Sequence, residues 1–278
     1  DPHQGRRDID ARVLRHVSEA FVEDPVRVLR VARFAARFPD FSVAPETLVL
    51  MQRIAAAGEL AALVPERVWQ EVSRGLMATR PSRMIEVLKA ARAWPGLMPE
   101  FDDADQPDLQ ALDRAAAGDA PLRVRYAILV AGLAPSAVDA LGERLRVPSE
   151  CRDLALALAR VEAPLLALPD ADAAGLQQFL VGIDALRRPQ RLDDLIAAEA
   201  IRQRLPDFDR TRWRLQAAAA ASTGVDQAAI ARAAAASGSA RGGEAIRDAI
   251  HAAQVAAIAD RLAGPDGPDG PDGQDPAR

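Results

Sequence analysis

The chain has 278 residues, of which 49% are hydrophobic and 27% are charged, and its formal net charge is −5. This composition excludes an intrinsically disordered protein, and the negative charge argues against a surface coated for nucleic acid, so any such contact is expected to be a local patch. No run approaches the roughly 18 apolar residues that a membrane span needs, no signal peptide is apparent, and the single cysteine, Cys151, cannot form an internal disulfide. These features predict a cytoplasmic protein without membrane contact. Because the chain begins at Asp1 inside what reads as a motif, we expect a fragment.

The first eighteen residues are the only segment without a helical pattern. Within them, residues 12–17 alternate weakly between polar and apolar side chains, which predicts one β-strand after a turn at Gly5. A helix is predicted over 24–38, with Pro25 in its opening turn, where a missing N–H does no harm. Further helices are predicted over 45–57, 65–78 and 82–93, followed by an acidic loop over 99–107.

The remaining chain reads as short helices separated by proline and glycine. They are predicted over 108–117, 121–133, 135–146, 149–165, 171–187, 189–204, 207–222, 226–236 and 243–262. No fixed period is present, which favours a compact array over a solenoid. The last residues repeat Gly-Pro-Asp, which is too short for a collagen helix and predicts a disordered tail. The predicted fold class is all-α, with a short N-terminal strand and a disordered C-terminal tail.

The chain lacks the common catalytic patterns. Its three histidines, His3, His16 and His251, have no adjacent aspartate and form no His-Glu-x-x-His pair, so a zinc site is unsupported. Asp103-Ala-Asp105 and Asp170-Ala-Asp172 have the spacing of shared metal ligands, yet they lie in proline-flanked turns where aspartate caps helices. We therefore predict no catalytic residue and no metal ligand in this chain.

Four charged residues recur at every third position: Asp24, Arg27, Arg30 and Arg33. On a helix they form one stripe, which could be only a ladder of salt bridges. Alternatively, a carboxylate and a guanidinium one turn apart match the amino donor and ring acceptor that cytosine and adenine share. Guanine and uracil present the reverse order and would leave both side chains unpaired, at about 1–3 kcal/mol each. Asp24 and Arg27 are thus predicted to select C and A, and Arg30 and Arg33 to reach ribose and triphosphate.

Several linked motifs in this order resemble those of a known family. They are Asp1-Pro-x-x-Gly5-x-x-Asp8, Leu14-Arg-His-Val17, Glu23-Asp-Pro-x-Arg27-x-Leu-Arg30-x-Ala-Arg33-Phe and Pro65-Glu-Arg-Val-Trp-x-Glu71. They are similar to motifs of the bacterial class II CCA-adding tRNA nucleotidyltransferases, within the poly(A) polymerase superfamily. Residues 145–154 and 183–191 resemble the tRNA-facing region of that family. The resemblance covers residues 1–262 and is strongest over 1–75.

The resemblance implies a role for each matching residue. Asp24 and Arg27 correspond to the amino-acid template for incoming CTP and ATP, while Arg30 and Arg33 correspond to arginines that hold the nucleotide. Support of the template helix from the neck is assigned to Glu23, Glu66, Arg67 and Glu71, with purely structural ion pairs as the alternative for the last three. Asp1, Gly5 and Asp8 match the segment that closes the catalytic head.

Two departures from the family pattern limit the expected activity. The family's metal-binding Asp-x-Asp and its Arg-Arg-Asp motif lie upstream of the segments matched here, and Arg6-Arg7-Asp8 belongs to the later segment. Mg²⁺ would therefore be bound by the missing head of the full enzyme. We expect this chain alone to bind nucleotide weakly and to polymerise nothing; extension of a tRNA 3′ end by the purified chain with CTP, ATP and Mg²⁺ would contradict this.

Residues 125–129 resemble the lead-in to a phosphohydrolase His-Asp pair, but Ala131 and Gly132 stand in its place. That second activity is expected to be lost.

The expected domains follow the family's architecture of head, neck, body and tail. They are a head remnant (1–18), a helical neck with the template helix (19–98), a helical body and tail with a degenerate HD-like and tRNA-docking region (99–262), and a disordered tail (263–278). The expected function is the nucleotide-recognition and tRNA-binding part of a CCA-adding enzyme. A poly(A) polymerase and a non-catalytic RNA-binding or scaffold protein are the alternatives, and no oligomeric state is predicted.

Contact with tRNA is expected at an arginine cluster late in the chain. Its members are Arg187, Arg188 and Arg191, with Arg202, Arg204, Arg210, Arg212 and Arg214 nearby in sequence. A solvated charged face is the alternative.

Overall fold

The structure is a computed structural model that describes residues 1, 3–102, 104–205, 207–236 and 243–264. Over these residues the chain is helical apart from one two-stranded sheet, which confirms the all-α prediction. No described helix is long and apolar enough to span a membrane. Most of the predicted disordered tail, residues 265–278, lies outside the described residues.

The chain divides into two compact units, Asp1–Arg160 and Val161–Arg278. The elements of the first unit are α1 (Gly5–Asp10), β1 (Val13–Leu14), α2 (Val26–Arg37), β2 (Ser42–Val43), α3 (Pro45–Ala56), α4 (Pro65–Leu76), α5 (Ser82–Ala90), α6 (Trp94–Leu97), α7 (Leu109–Ala117), α8 (Leu122–Leu129) and α9 (Pro135–Arg144). α10 (Ser149–Ala167) begins in this unit and ends in the next. The second unit continues with α11 (Ala173–Gly182), α12 (Pro189–Arg202), α13 (Phe208–Thr223), α14 (Gln227–Ala236) and α15 (Gly243–Leu262).

The core of the first unit is built around α2, which packs against α4 and α5. Val28 and Leu29 are fully buried, and so are the small residues Ala32, Ala35 and Ala36 one and two turns further along. Alanine lets neighbouring helix backbones approach closely while the larger side chains fill the remaining space. The position of α2, and of the arginines on its outer face, is therefore fixed by buried contacts.

The N-terminal segment differs from its prediction, because residues 5–10 form α1 and not a turn. The carboxylate of Asp1 accepts hydrogen bonds from the backbone N–H groups of Gly5 and Arg6, both at 2.9 Å, and so satisfies donors that the first helical turn leaves free. The predicted strand is present but short. β1 pairs in parallel with β2, Val13 opposite Ser42 and Leu14 opposite Val43.

Residues 99–160 pack with the preceding helices in the first unit. α7 contacts α5, and α8 contacts both α7 and α4. The division between the units at residue 160 thus falls inside the region 99–262 that the sequence treats as one body. In the second unit α11, α13 and α15 pack together around a buried amide pair, in which Gln177 donates to Gln254 at 2.9 Å.

Candidate functional site

Asp24 lies just before α2 and not on its surface stripe. Its backbone is extended, and its carbonyl oxygen accepts the N–H of Arg27 at 3.0 Å. Its side-chain Oδ1 accepts the N–H of Val26 at 3.3 Å. The helix predicted to begin at residue 24 begins at Val26 instead, because Asp24 uses its own carboxylate and carbonyl to satisfy donors of the first turn.

A second element fixes the carboxylate of Asp24. The guanidinium of Arg67, in the first turn of α4, donates to Oδ2 of Asp24 at 2.8 Å. Burial would raise the pKa of Asp24, but the hydrogen bonds from Arg67 and from the Val26 N–H, with the charges of Arg67 and Arg27, lower that pKa below its usual value. At neutral pH the site therefore presents an oriented, ionised carboxylate.

Arg27 and Arg30 line a cavity of about 900 Å³ between α2 and the N-terminal segment. The guanidinium of Arg27 donates to the backbone carbonyl of Ala20, whereas Arg30 is exposed and has no ion-pair partner among the described residues. The cavity walls are otherwise largely apolar and aromatic, and include Leu14, Val31, Phe34, Phe38 and Phe41. Arg15, which is paired with Asp8, also lines it, so the cavity combines three arginines with surfaces suited to a flat, partly apolar ligand.

Arg33 lies away from this cavity. Its side chain is 13% exposed, and its Nε is 2.5 Å from Oε2 of Glu71, which is 7% exposed. Its guanidinium also lies 4.3 Å from the centre of the Phe34 ring. The four residues of the predicted stripe are therefore separated: Arg27 and Arg30 line the cavity, whereas Asp24 and Arg33 are not among its lining residues and are each paired to a residue of α4.

Three residues of α4 form ion pairs with other elements. Besides the pairs made by Arg67 and Glu71, Glu66 pairs with Arg146, and Trp69 packs edge-on against Tyr126 with ring centres 5.4 Å apart. Glu23 is exposed and has no ion-pair partner within the described part of the chain. The ion pairs of Arg67 and Glu71 thus tie α4 to Asp24 and to α2.

Two residues near the site were not singled out from the sequence. Thr47 is fully buried and its hydroxyl contacts His16 twice, accepting the backbone N–H at 3.0 Å and lying 2.8 Å from Nδ1. Arg125 is 3% exposed and donates to the carbonyls of Leu76 at 2.8 Å and Ala120 at 2.7 Å. A lone arginine within the apolar run 124–131 is a signal that could have indicated a buried cation.

The described residues offer no place for a metal. They contain no group of three or more His, Cys, Asp or Glu side chains that could hold a metal ion. At the position of the missing His-Asp pair, Ala131 is 7% exposed. A Cβ atom on Gly132 would lie 2.9 Å from the backbone oxygen of Asp105, so a larger side chain would not fit there without a shift.

Most of the arginines that the sequence places near the expected tRNA contact already contact other groups of the protein. Arg187 is exposed, Arg188 lies 3.5 Å from the carboxylate of Asp184, and Arg191 donates to the carbonyl of Ile183 at 3.0 Å. The expectation that Arg202 and Arg214 contact RNA is wrong, because both are buried. Arg202 pairs with Glu199 at 2.5 Å, and Arg214 donates to the carbonyl of Pro169 at 2.7 Å.

Comparisons with known proteins find one matching family model and solved structures of similar fold. A family described as "Probable RNA and SrmB-binding site of polymerase A" matches residues 40–105. A CCA-adding enzyme solved with CTP is similar in fold, with a TM-score of 0.67 at 15% identity over 92% of this chain and 61% of that one. The Thermotoga maritima CCA-adding enzyme solved with tRNA has a TM-score of 0.56 at 16% identity, over 77% of this chain and 54% of its own.

Sequence similarity is much higher to a multifunctional CCA protein of Cupriavidus necator. The two are 44% identical over 303 aligned positions, which cover 95% of this chain and 72% of that protein. Identity at this level over nearly the whole chain shows common descent and not only a shared fold. The chain belongs to the family of multifunctional CCA proteins, which are class II CCA-adding tRNA nucleotidyltransferases.

Proposed function

We propose that this chain forms the nucleotide-recognition and tRNA-binding part of a CCA-adding enzyme, which transfers CMP twice and AMP once to a tRNA 3′ end. The names of its relatives support the reaction, and the solved enzymes of similar fold were obtained with CTP, with ATP and with tRNA. A reaction on tRNA in a chain with one cysteine also supports a cytoplasmic location.

One observation carries the proposal: Arg27 lines the cavity, and the carboxylate of Asp24, three residues before it, is held in place by Arg67 and by the N–H of Val26. Asp24 is ionised and can accept only, while Arg27 can donate only. A base with an amino donor beside a ring-nitrogen acceptor satisfies both groups. Cytosine and adenine have this edge, and guanine and uracil present the opposite order.

Arg30 and Arg33 have different proposed roles. Arg30 is exposed at the cavity and free to donate to ribose or phosphate oxygens. Arg33 acts as a positioning residue, since its ion pair with Glu71 fixes the rotation of α2 and thereby the direction of Arg27 and Arg30. No step is assigned to Mg²⁺, because the described residues provide no ligand set for it.

A poly(A) polymerase remains the second candidate, since the family that matches residues 40–105 is described by that enzyme. The two activities would use the same template residues. They differ in whether CTP is accepted together with ATP. The names of the relatives favour the CCA-adding enzyme.

The proposal is tested by equilibrium binding of CTP, ATP, GTP and UTP to the full chain, up to millimolar concentrations. CTP and ATP should bind more tightly than GTP and UTP, and Arg27→Ala should weaken CTP and ATP by about 1–3 kcal/mol, or roughly 5- to 150-fold. Arg74→Ala is the matched control, because this exposed arginine lies on α4 away from the cavity. Equal binding of all four nucleotides, or equal effects of the two variants, would contradict the proposal.

A further inference from the structure

A second surface of the first unit gathers exposed cations around two adjoining clefts. The first cleft, of about 330 Å³, lies along α3 and includes Gln52, Arg53 and Arg92. The second, of about 340 Å³, lies at the end of α5 and includes Lys89, Arg92 and Trp94. Arg92 lines both clefts, which makes them one continuous feature. We call Arg53, Lys89 and Arg92, with the two clefts, the basic groove.

The backbone beneath the basic groove is well fixed. Gln52 on α3 donates through its side-chain amide to the carbonyl of Ala90, at 2.9 Å, and so ties α3 to the end of α5. Arg92 has a φ of 55°, and the turn around it is closed by its N–H to the carbonyl of Lys89 at 2.9 Å. The Lys89 ammonium lies 5.9 Å from the ring centre of Trp94, which is 4% exposed. The three cations are thus presented by rigid elements.

Among the described residues, these cations have only weak ion pairs or none. Lys89 and Arg92 are exposed, and neither has an ion-pair partner within the described residues. Arg53 is 64% exposed, and its one carboxylate contact among the described residues, to Glu19, is at 4.0 Å. Of the described residues that line the two clefts, Asp102 in the second cleft is the only acidic one. The dipole of α5 could account for a cation at Lys89, but not for Arg53 on a different helix.

We propose that the basic groove binds the sugar-phosphate backbone of the RNA substrate. The inference rests on the proposed function, and it places an RNA contact in the first unit, apart from the late arginines. The groove lies within residues 40–105, which match a family described as RNA-binding. Two guanidinium groups and one ammonium are suited to phosphate oxygens, and the buried Trp94 leaves no ring free for base stacking. Binding there should therefore be insensitive to sequence.

The test is binding of the full chain to a tRNA that lacks its terminal CCA, measured by fluorescence anisotropy at several salt concentrations. A triple variant, Arg53→Gln with Lys89→Gln and Arg92→Gln, should lose about 10-fold or more in affinity at low salt. The slope of log K against log salt should shrink by about 0.7–0.9 for each phosphate contact removed. CTP binding should be unchanged, since the basic groove does not border the nucleotide cavity. Arg74→Ala serves as the control.

The outcomes separate this inference from the proposed function. Unchanged tRNA affinity and salt slope in the triple variant, with normal binding by the wild type, would overturn the basic groove alone and would point to an acidic protein surface as its partner. Failure of the wild type to bind tRNA at all would overturn both. A thermal melt of each variant shows that the fold is retained, and the single variant Arg92→Gln should give about a third of the change in slope.

Discussion

The charge of Asp24 is set by three neighbouring groups that oppose the effect of its burial. Its pKa is lowered by Arg67, by the Val26 N–H and by the charge of Arg27, although burial acts in the other direction. Because the folded-state pKa lies below the unfolded value, the ionised form stabilises the fold. This contribution is present above the unfolded pKa and is lost as pH falls through the folded pKa.

Removal of Arg67 should therefore raise the pKa of Asp24. In Arg67→Ala the largest single influence, burial, is no longer opposed by the hydrogen bond and charge of the guanidinium. The carboxyl carbon of Asp24, followed by NMR during an acid titration, should titrate at higher pH than in the wild type. Arg74→Ala should leave the titration unchanged. Identical curves for Arg67→Ala and the wild type would show that the ion pair does not hold this carboxylate.

The ion pair between Arg33 and Glu71 is nearly buried, so its loss should reduce the free energy of unfolding. Glu71→Ala leaves a cation without its partner and should reduce the free energy of unfolding by about 3 kcal/mol. The double variant Arg33→Met with Glu71→Leu should recover most of that loss, because no charge is left buried. Urea unfolding measures both. A double variant as unstable as Glu71→Ala would rule out this explanation.

At the level of elements, α4 and α8 are joined by the buried side chain of Arg125, in addition to the ring contact between Trp69 and Tyr126. Arg125 on α8 donates to the carbonyl of Leu76, the last residue of α4, whose oxygen has no helical partner. It also donates to the carbonyl of Ala120, just before α8. Burial lowers the pKa of Arg125, but an arginine remains charged at any physiological pH.

Arg125→Met should keep the volume of this side chain and remove its donors. The carbonyls of Leu76 and Ala120 would then lack this partner, which should cost about 3 kcal/mol of unfolding free energy. Because these donors act at the end of α4, the loss should appear in urea unfolding of the first unit. The exposed Arg74→Ala should change the free energy by no more than about 0.5 kcal/mol. A urea midpoint of unfolding for Arg125→Met equal to that of the wild type would contradict the stabilising role of Arg125.

The long helices follow from their periodicity and proline positions, whereas the short elements do not. α3 begins at Pro45 and α4 at Pro65, where the sequence predicts them. α1 was missed because its first turn depends on the Asp1 carboxylate, a contact made by folding and not by a period. β1 and β2 have two residues each, too few for an alternating pattern to be recognised. The two strands pair directly although α2 separates them in the sequence.

At the scale of the whole molecule, the sequence shows that Asp24, Arg27, Arg30 and Arg33 recur at every third position. It does not show that they have different partners in the structure. Spacing along a helix places four charges on one face, yet which of them meets a partner depends on α4, more than 30 residues away in the chain. The buried Arg202 and Arg214 were misjudged for the same reason, since their partners are set by packing. Motif order was the stronger guide, and it led to the family.

The central claim is that Asp24 accepts the amino group of the incoming base, and an analogue of CTP that lacks the 4-amino group tests it most directly. Binding of CTP and of this analogue should be measured for the wild type and for Asp24→Ala. The wild type should prefer CTP by about 1–3 kcal/mol, or roughly 5- to 150-fold, and Asp24→Ala should bind both equally. Equal binding by the wild type, or a preference that persists in Asp24→Ala, would contradict the account.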